Sequence, residues 1–317
     1  MDVLSNFIAM LMQILPLFII MGIGVLLVKL HIVDQNFSDQ GTHVYMDVFL
    51  PCSILRAFSP DRITPEMLGP GAHLFFLGAA MAGVGFILAV LFERLLKLDT
   101  LTGNICYMSI MFTNFGIIGF GMTEKVYGVQ GLVYMNLFCI ALRFLYYTFS
   151  IYIMQRGIEG ESKTNWAKAL MNPPVFAIVI ALILLFFDIR LPDVVMGTVD
   201  MLAGCLAPVG MLVLGVVLAR YPMQSLFSGK LVYLVCFIRL IAIPVGMIFA
   251  FRALGFVGVV AAVPVLVLAL PVGVNCSLLA ERFGGNTHFG AQVVFVCTVL
   301  SILTVPFILT LSAWMLL

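Results

Sequence analysis

The sequence predicts an all-α membrane protein of about ten transmembrane helices, built as two related five-helix halves. Three observations predict it. Of 317 residues, 63% are hydrophobic and only 10% charged, with a mean hydropathy of +1.17. That is too little charge to cover a water-soluble domain of this length. Apolar windows long enough to cross the hydrocarbon core recur about ten times. Finally, an ungapped shift of 157 residues lays Pro16 on Pro173, Pro51 on Pro208, Gly116 on Gly273, Glu124 on Glu281, Lys125 on Arg282 and Gly128 on Gly285. Matched aliphatics are common in such a chain; matched prolines, glycines and an acid–base pair are not, so the shift marks a repeat. Five is odd, so the second half enters the bilayer from the opposite side, as an inverted repeat.

The expected spans run 7–28, 41–58, 69–91, 101–123, 129–153, 167–187, 194–219, 230–251, 255–280 and 288–316. Met1 to Asn6 lacks the basic n-region of a cleavable leader, so the first apolar run is expected to stay as a span. The most hydrophilic stretch, Gln155 to Lys168, lies near the middle. It divides the chain into a first repeat (1–156), a linker (157–166) and a second repeat (167–317). Lys29, Arg94, Lys97, Arg156, Lys163, Lys168, Arg220, Lys230 and Arg282 fall on the linker side. Arg56, Arg62, Lys125, Arg190 and Arg252 fall on the side of the termini. The excess of basic residues predicts a cytoplasmic linker and extracytoplasmic termini in the cell membrane.

Several function classes drop out. A net charge of +1 without a basic patch offers nothing to nucleic acid. Seven scattered cysteines without CxxC spacing read as buried thiols. There is no P-loop and no HExxH, and four histidines lie far apart. A membrane-embedded enzyme is therefore disfavoured, and no metal or cofactor is expected.

The fourth and ninth spans carry the chemistry. The fourth reads Ser109-Ile-Met-Phe-Thr113-Asn114-Phe-Gly116-Ile-Ile-Gly119-Phe-Gly121, and three glycines weaken a helix there. The ninth reads Ala269-Leu-Pro271-Val-Gly273-Val-Asn275-Cys-Ser277; Pro271 removes a backbone donor and Gly273 tolerates the distortion. One such span alone is accounted for by close helix packing. Paired breaks at corresponding places instead predict backbone lining a cavity, because lipid cannot satisfy freed N–H and C=O groups. Half-helix N-termini suit a carboxylate, and Asn114 and Asn275 add amide donors. Thr113, Gly116, Pro271, Gly273 and Ser277 complete the candidate substrate-binding set.

Ionisable residues inside spans mark either function or structural pairing. Arg143, deep in the fifth span, either binds a second substrate carboxylate or pairs structurally. Asp47 and Asp200 are candidates for proton or cation coupling, or are helix-end acids; Arg239 reads as structural.

Asn114-Phe-Gly-Ile-Ile-Gly resembles the Asn-Thr-Gly-Phe-Leu-Gly motif of the auxin efflux carrier family. Pro271-Val-Gly-Val-Asn275-Cys-Ser-Leu-Leu-Ala280 resembles that family's Pro-Pro-Ala-Ala-Asn-Ala-x-x-Leu-Ala. Phe49-Leu-Pro51-Cys, Asn172-Pro173, the stretch from Leu206 to Gly215 and Arg239-Leu-Ile-Ala-Ile-Pro244 extend the likeness over essentially the whole chain. Gly121 and Val272 depart from it, each standing where the family usually has proline. The resemblance implies crossed, interrupted fourth and ninth helices with substrate held at the crossing by Asn114 and Asn275. It also implies a transport domain (spans 3–5 and 8–10) that slides on a scaffold (spans 1, 2, 6 and 7), a fold shared with bile-acid sodium symporters. The expected activity is secondary transport of a small organic anion, malate-like or auxin-like. The alternatives are a ligand sensor on a carrier fold and a sodium-coupled carrier of larger organic acids. Membrane lipid and a second copy of the chain are the expected partners.

Overall fold

In the computed structural model, residues 3–34, 36–57, 59, 65–157 and 173–317 are described. The expected linker lies outside them save for Gly157, as do residues 167–172 of the expected sixth span. Among the described residues all regular structure is helical. In order these are α1 (Val3–Lys29), α2 (Phe37–Val44), the π-helical turn π1 (Tyr45–Phe49), α3 (Leu50–Ala57), α4 (Pro65–Leu96), α5 (Thr100–Met111), π2 (Phe115–Gly119), α6 (Phe120–Met154), α7 (Pro173–Phe186), α8 (Asp193–Gly204), α9 (Leu206–Ala219), α10 (Met223–Leu226), α11 (Lys230–Phe237), π3 (Ile238–Ala242), α12 (Ile243–Ala253), α13 (Val259–Ala269), α14 (Asn275–Phe283) and α15 (Thr287–Leu316).

Among the described residues five stretches are long and apolar enough to cross a bilayer: His73–Leu96, Gln130–Met154, Asp193–Ala219, Lys230–Ala253 and Thr287–Leu316. The 27-residue α1 and shorter apolar helices, including Pro173–Phe186 and Val259–Ala269, accompany them. The remaining expected spans are shorter because the chain interrupts them. The second is split into α2, π1 and α3, and the fourth and ninth break outright. Proline explains two of the π turns. Pro51 and Pro244 each sit two residues beyond one. A proline ring clashes with the carbonyl four residues back and cannot donate to it. The helix widens just before, so that the Leu50 N–H reaches Tyr45 O and the Ile243 N–H reaches Ile238 O.

The solvent for this fold is legible in what faces outward. On α1, Met12, Leu15, Ile19, Ile23 and Leu26 are exposed while Ile14, Leu17 and Met21 are buried. Both faces are apolar, an arrangement that suits lipid and would aggregate in water. Phe186 and Trp314 are likewise exposed.

Small residues set the closest helix contacts. A Cβ on Gly24 of α1 would lie 2.2 Å from the Leu212 carbonyl, and one on Gly215 of α9 2.1 Å from that of Met21. On α4, a Cβ on Gly78 would lie 2.2 Å from the Phe138 carbonyl of α6. Backbone thus meets backbone, the usual way helices associate in lipid. Two neighbourhoods result. α1 packs on α9, and α3 on α7 and α8; α4 packs on α5 and α6, and α13 on α6, α12 and α15. α13 and the N-terminal part of α14 form the buried centre.

Candidate functional site

Two chain breaks meet at the centre. α5 ends at Met111, and Phe112 turns extended (φ −122, ψ 149); α13 ends at Ala269, and Leu270 does the same (φ −66, ψ 150). The Asn114 N–H donates to the Pro271 carbonyl at 2.7 Å. A Cβ on Gly273 would lie 3.7 Å from the Thr113 carbonyl and 3.8 Å from Asn114 Cα. Beyond its break the fourth expected span resumes as π2, where the Ile118 and Gly119 N–H groups both reach Asn114 O at 3.3 Å.

The broken ends survive in the interior because their carbonyls are satisfied. Arg239, 0% exposed on π3, donates through Nη1 to Ile110 O (3.2 Å), through Nη2 to Leu268 O (2.8 Å) and through Nε to Leu270 O (3.4 Å). One guanidinium therefore joins the C-terminal ends of α5 and α13, where helix dipoles are negative. This supports the structural reading of Arg239 with a specific task.

Of the candidate positions, Thr113, Asn114, Pro271 and Gly273 come together where the breaks touch. The Thr113 hydroxyl is buried and makes no hydrogen bond among the described residues, and neither does that of Ser277. Gly116 is exposed with open space where a side chain would project. Asn275 opens α14, and its Oδ1 accepts a hydrogen bond from the Tyr45 hydroxyl of π1. Tyr146 of α6 and Asn275 line the same small cavity. Tyr146 lies edge-on to Phe112 (4.9 Å) and Phe115 (6.0 Å), the residues flanking Thr113 and Asn114. Beside Asn275 is a cavity of about 10 Å³ lined by Met46, Leu50, Tyr146, Tyr147 and others, enough for roughly one water.

Arg143 is 2% exposed. Its guanidinium lies 5.7 Å over the Phe115 ring and donates weakly to Asn136 Oδ1 at 3.4 and 3.5 Å. It stands next to the first break.

Asp47 lies in a cluster of charges at the far end of α14. Arg282 Nη1 is 2.7 Å from Asp47 Oδ1, and His43 Nδ1 is 3.6 Å from Oδ2. One residue earlier on α14, Glu281 accepts from Arg220 Nη1 at 2.6 Å and from Ser38 Oγ at 3.0 Å, and Arg220 also reaches Ser38. Asp200 is half-buried on α8, which packs on α3, π1 and α9.

Sequence reasoning missed Tyr45 and Tyr146. Tyrosine in an apolar span has many ordinary roles, and Tyr45 meets Asn275 across 230 residues of chain. The one local signal was Pro51, which foreshadows the π turn that carries Tyr45.

Helices this apolar, with paired central breaks and a lipid-suited exterior, define a multi-pass membrane protein. A family model described as "Membrane transport protein" matches residues 9–165 and 161–309. The chain belongs to this auxin-efflux-carrier-like family of membrane transporters, as its motifs suggest. Among curated relatives, the uncharacterized transporter YfdV of Escherichia coli (strain K12) is 21% identical over 303 residues, covering 93% of this chain and 95% of its own. The YfdV of Shigella flexneri gives the same figures. An uncharacterized transporter of Methanothermobacter thermautotrophicus is 24% identical over 197 residues, 61% of this chain and 63% of its own.

Proposed function

We propose that this transporter is a secondary carrier for a small organic anion, a mono- or dicarboxylate, bound where the two chain breaks meet. The observation that carries the proposal is the direct contact of the breaks, Asn114 N–H to Pro271 O, with Arg239 holding both preceding helix ends. In this reading freed backbone donors, the Thr113 hydroxyl and the two asparagine amides supply the donors that suit carboxylate oxygens. Arg143, beside Phe115, supplies positive charge next to it.

In this reading the protein has ten spans as a 5+5 inverted repeat, works by an elevator motion in the cell membrane, and forms a homodimer. The linker is cytoplasmic and the termini are outside. The two packing neighbourhoods support the division of labour. α1 packs on α9, α9 on α8, and α8 and α7 on α3, as a scaffold would; α4, α5, α6, α12, α13 and α15 form a second connected group, as a transport domain would, and α1 meets it at α15. Asp47 is read as a partner of Arg282 in an ionic clasp, leaving proton or sodium coupling to be decided by measurement.

The test is uptake of labelled malate and malonate into proteoliposomes. Asn114→Ala and Asn275→Ala are each expected to lower uptake by about tenfold or more, the usual loss of a hydrogen bond to a charged group. Wild-type levels in both variants would overturn the assignment of the site.

A further inference from the structure

Each of the three π turns among the described residues carries a residue at or reaching toward the breaks. π2 begins at Phe115 directly after Asn114, π3 holds Arg239, and π1 holds Tyr45. A π turn shifts the residues after it to a new face of the helix and often marks a working site. Two of these turns have an evident task; Tyr45 on the third does not.

Tyr45 is fully buried, with its ring against Gly210 of α9. A Cβ at Gly210 would come 2.7 Å from the ring's Cε2, so only glycine leaves the tyrosine its place. The hydroxyl ends on Asn275 Oδ1. An asparagine side chain has one carbonyl oxygen and two N–H donors, and a free amide can turn either end toward a ligand. A buried Tyr45 hydroxyl needs an acceptor, and Asn275 Oδ1 is the one it reaches. That bond holds the amide in one of its two orientations. The oxygen is taken, and the N–H donors are what Asn275 has left to offer.

We infer that Tyr45 is a positioning residue that sets the hydrogen-bond polarity of Asn275, and through it selects ligand groups that accept, such as carboxylates, over groups that donate, such as carboxamides. The inference deepens the proposed function and rests on Asn275 facing the substrate. It assigns the choice between an acid and its isosteric amide to a residue outside the two broken helices. Gly210 acts one step further out, by making room for the ring.

The test is binding of matched pairs to the purified full-length protein by calorimetry: malonate against malonamide, and indole-3-acetate against indole-3-acetamide. Wild type is expected to favour the acid of whichever pair it binds. Tyr45→Phe keeps the ring but loses the hydroxyl. Its preference for acid over amide is expected to fall by about tenfold, with amide affinity rising while acid affinity drops. A general loss of structure would weaken both members alike. Tyr146→Phe, which removes a neighbouring hydroxyl that makes no hydrogen bond to Oδ1 of Asn275 among the described residues, is expected to keep the preference. Should Tyr45→Phe not yield folded protein, Gly210→Ala, which displaces the ring, is expected to lower the preference in the same way. An unchanged preference in the folded Tyr45 or Gly210 variant overturns the inference while leaving the proposed function standing. If no acid binds, and Asn275→Ala alters nothing, the proposed site itself fails and the inference with it.

Discussion

Arg239 shows how a single side chain makes an otherwise forbidden backbone stable. Ile110, Leu268 and Leu270 present carbonyls at helix ends inside an apolar interior, where an unsatisfied group costs about 1–3 kcal/mol. The guanidinium fork reaches all three, and a lysine, with a compact ammonium, has no equivalent geometry. Arg239→Leu is therefore expected to cost about 3 kcal/mol or more, and Arg239→Lys somewhat less. The check is the melting temperature in detergent, followed by uptake in whichever variant stays folded. The candidate asparagines differ in kind. Asn114 is engaged through its backbone N–H with the opposite break, whereas Asn275 is engaged through its side chain with Tyr45. The orientation of the Asn275 amide is thus tied to Tyr45.

At the scale of elements, the breaks work only if the helices leading into them are firmly started. α5 begins with Asp99 as its cap, whose carboxylate accepts from the Thr102 N–H at 2.9 Å. α15 begins with Asn286, which accepts from the Phe289 N–H at 3.1 Å and donates to Thr102 Oγ1 at 2.9 Å. The two caps are thereby tied together. The Thr102 N–H also holds the Asp99 carboxyl below its ordinary range, outweighing the opposing effect of burial. A depressed carboxyl stabilises the fold above its unfolded value, about 3.9, and the effect is lost as pH falls through the lower folded value. Asp99→Ala is expected to lower stability by about 0.5–1 kcal/mol at neutral pH. The gap between wild-type and variant melting temperatures should hold down to about pH 5 and close below about pH 4. A gap independent of pH would mean that the carboxylate is not the cap.

At the scale of the whole molecule, α14 joins the two packing neighbourhoods. Its first residue meets Tyr45, and its seventh and eighth, Glu281 and Arg282, pair with Arg220 and Asp47. Partly buried pairs of this kind are worth more than exposed ones, because water screens them less. If α14 moves relative to α9 and π1 during transport, these pairs must open and re-form. Reversing either charge alone, Arg220→Glu or Glu281→Arg, is expected to lower uptake by about tenfold, and the double exchange to recover most of it. Failure of the double exchange to improve on the singles would show that the pair has no coupled role. The exposed apolar faces of α1, α7 and α15 meanwhile need only lipid.

Much of this protein was readable in advance because it depends on local properties of the chain. Composition chose the solvent. Pro271 with Gly273, and the glycines after Asn114, marked where helices would stop, since proline and glycine act on their own backbone wherever they stand. Lengths were read less well. The second, fourth and ninth expected spans came out in pieces, whereas the expected fifth matches the apolar stretch Gln130–Met154, set off from the end of the fourth by a kink at Gly128 (φ 63). What the sequence by itself determined is an apolar helical chain with two weak points at Asn114 and Pro271. The family resemblance implied that the broken helices cross; only the tertiary structure decided that Asn114 N–H meets Pro271 O there, that Arg239 joins the helix ends and that Tyr45 reaches Asn275. The reason is physical. A break follows from the torsional preferences of a few neighbouring residues, whereas a hydrogen bond between distant segments exists only once packing has brought them within about 3 Å.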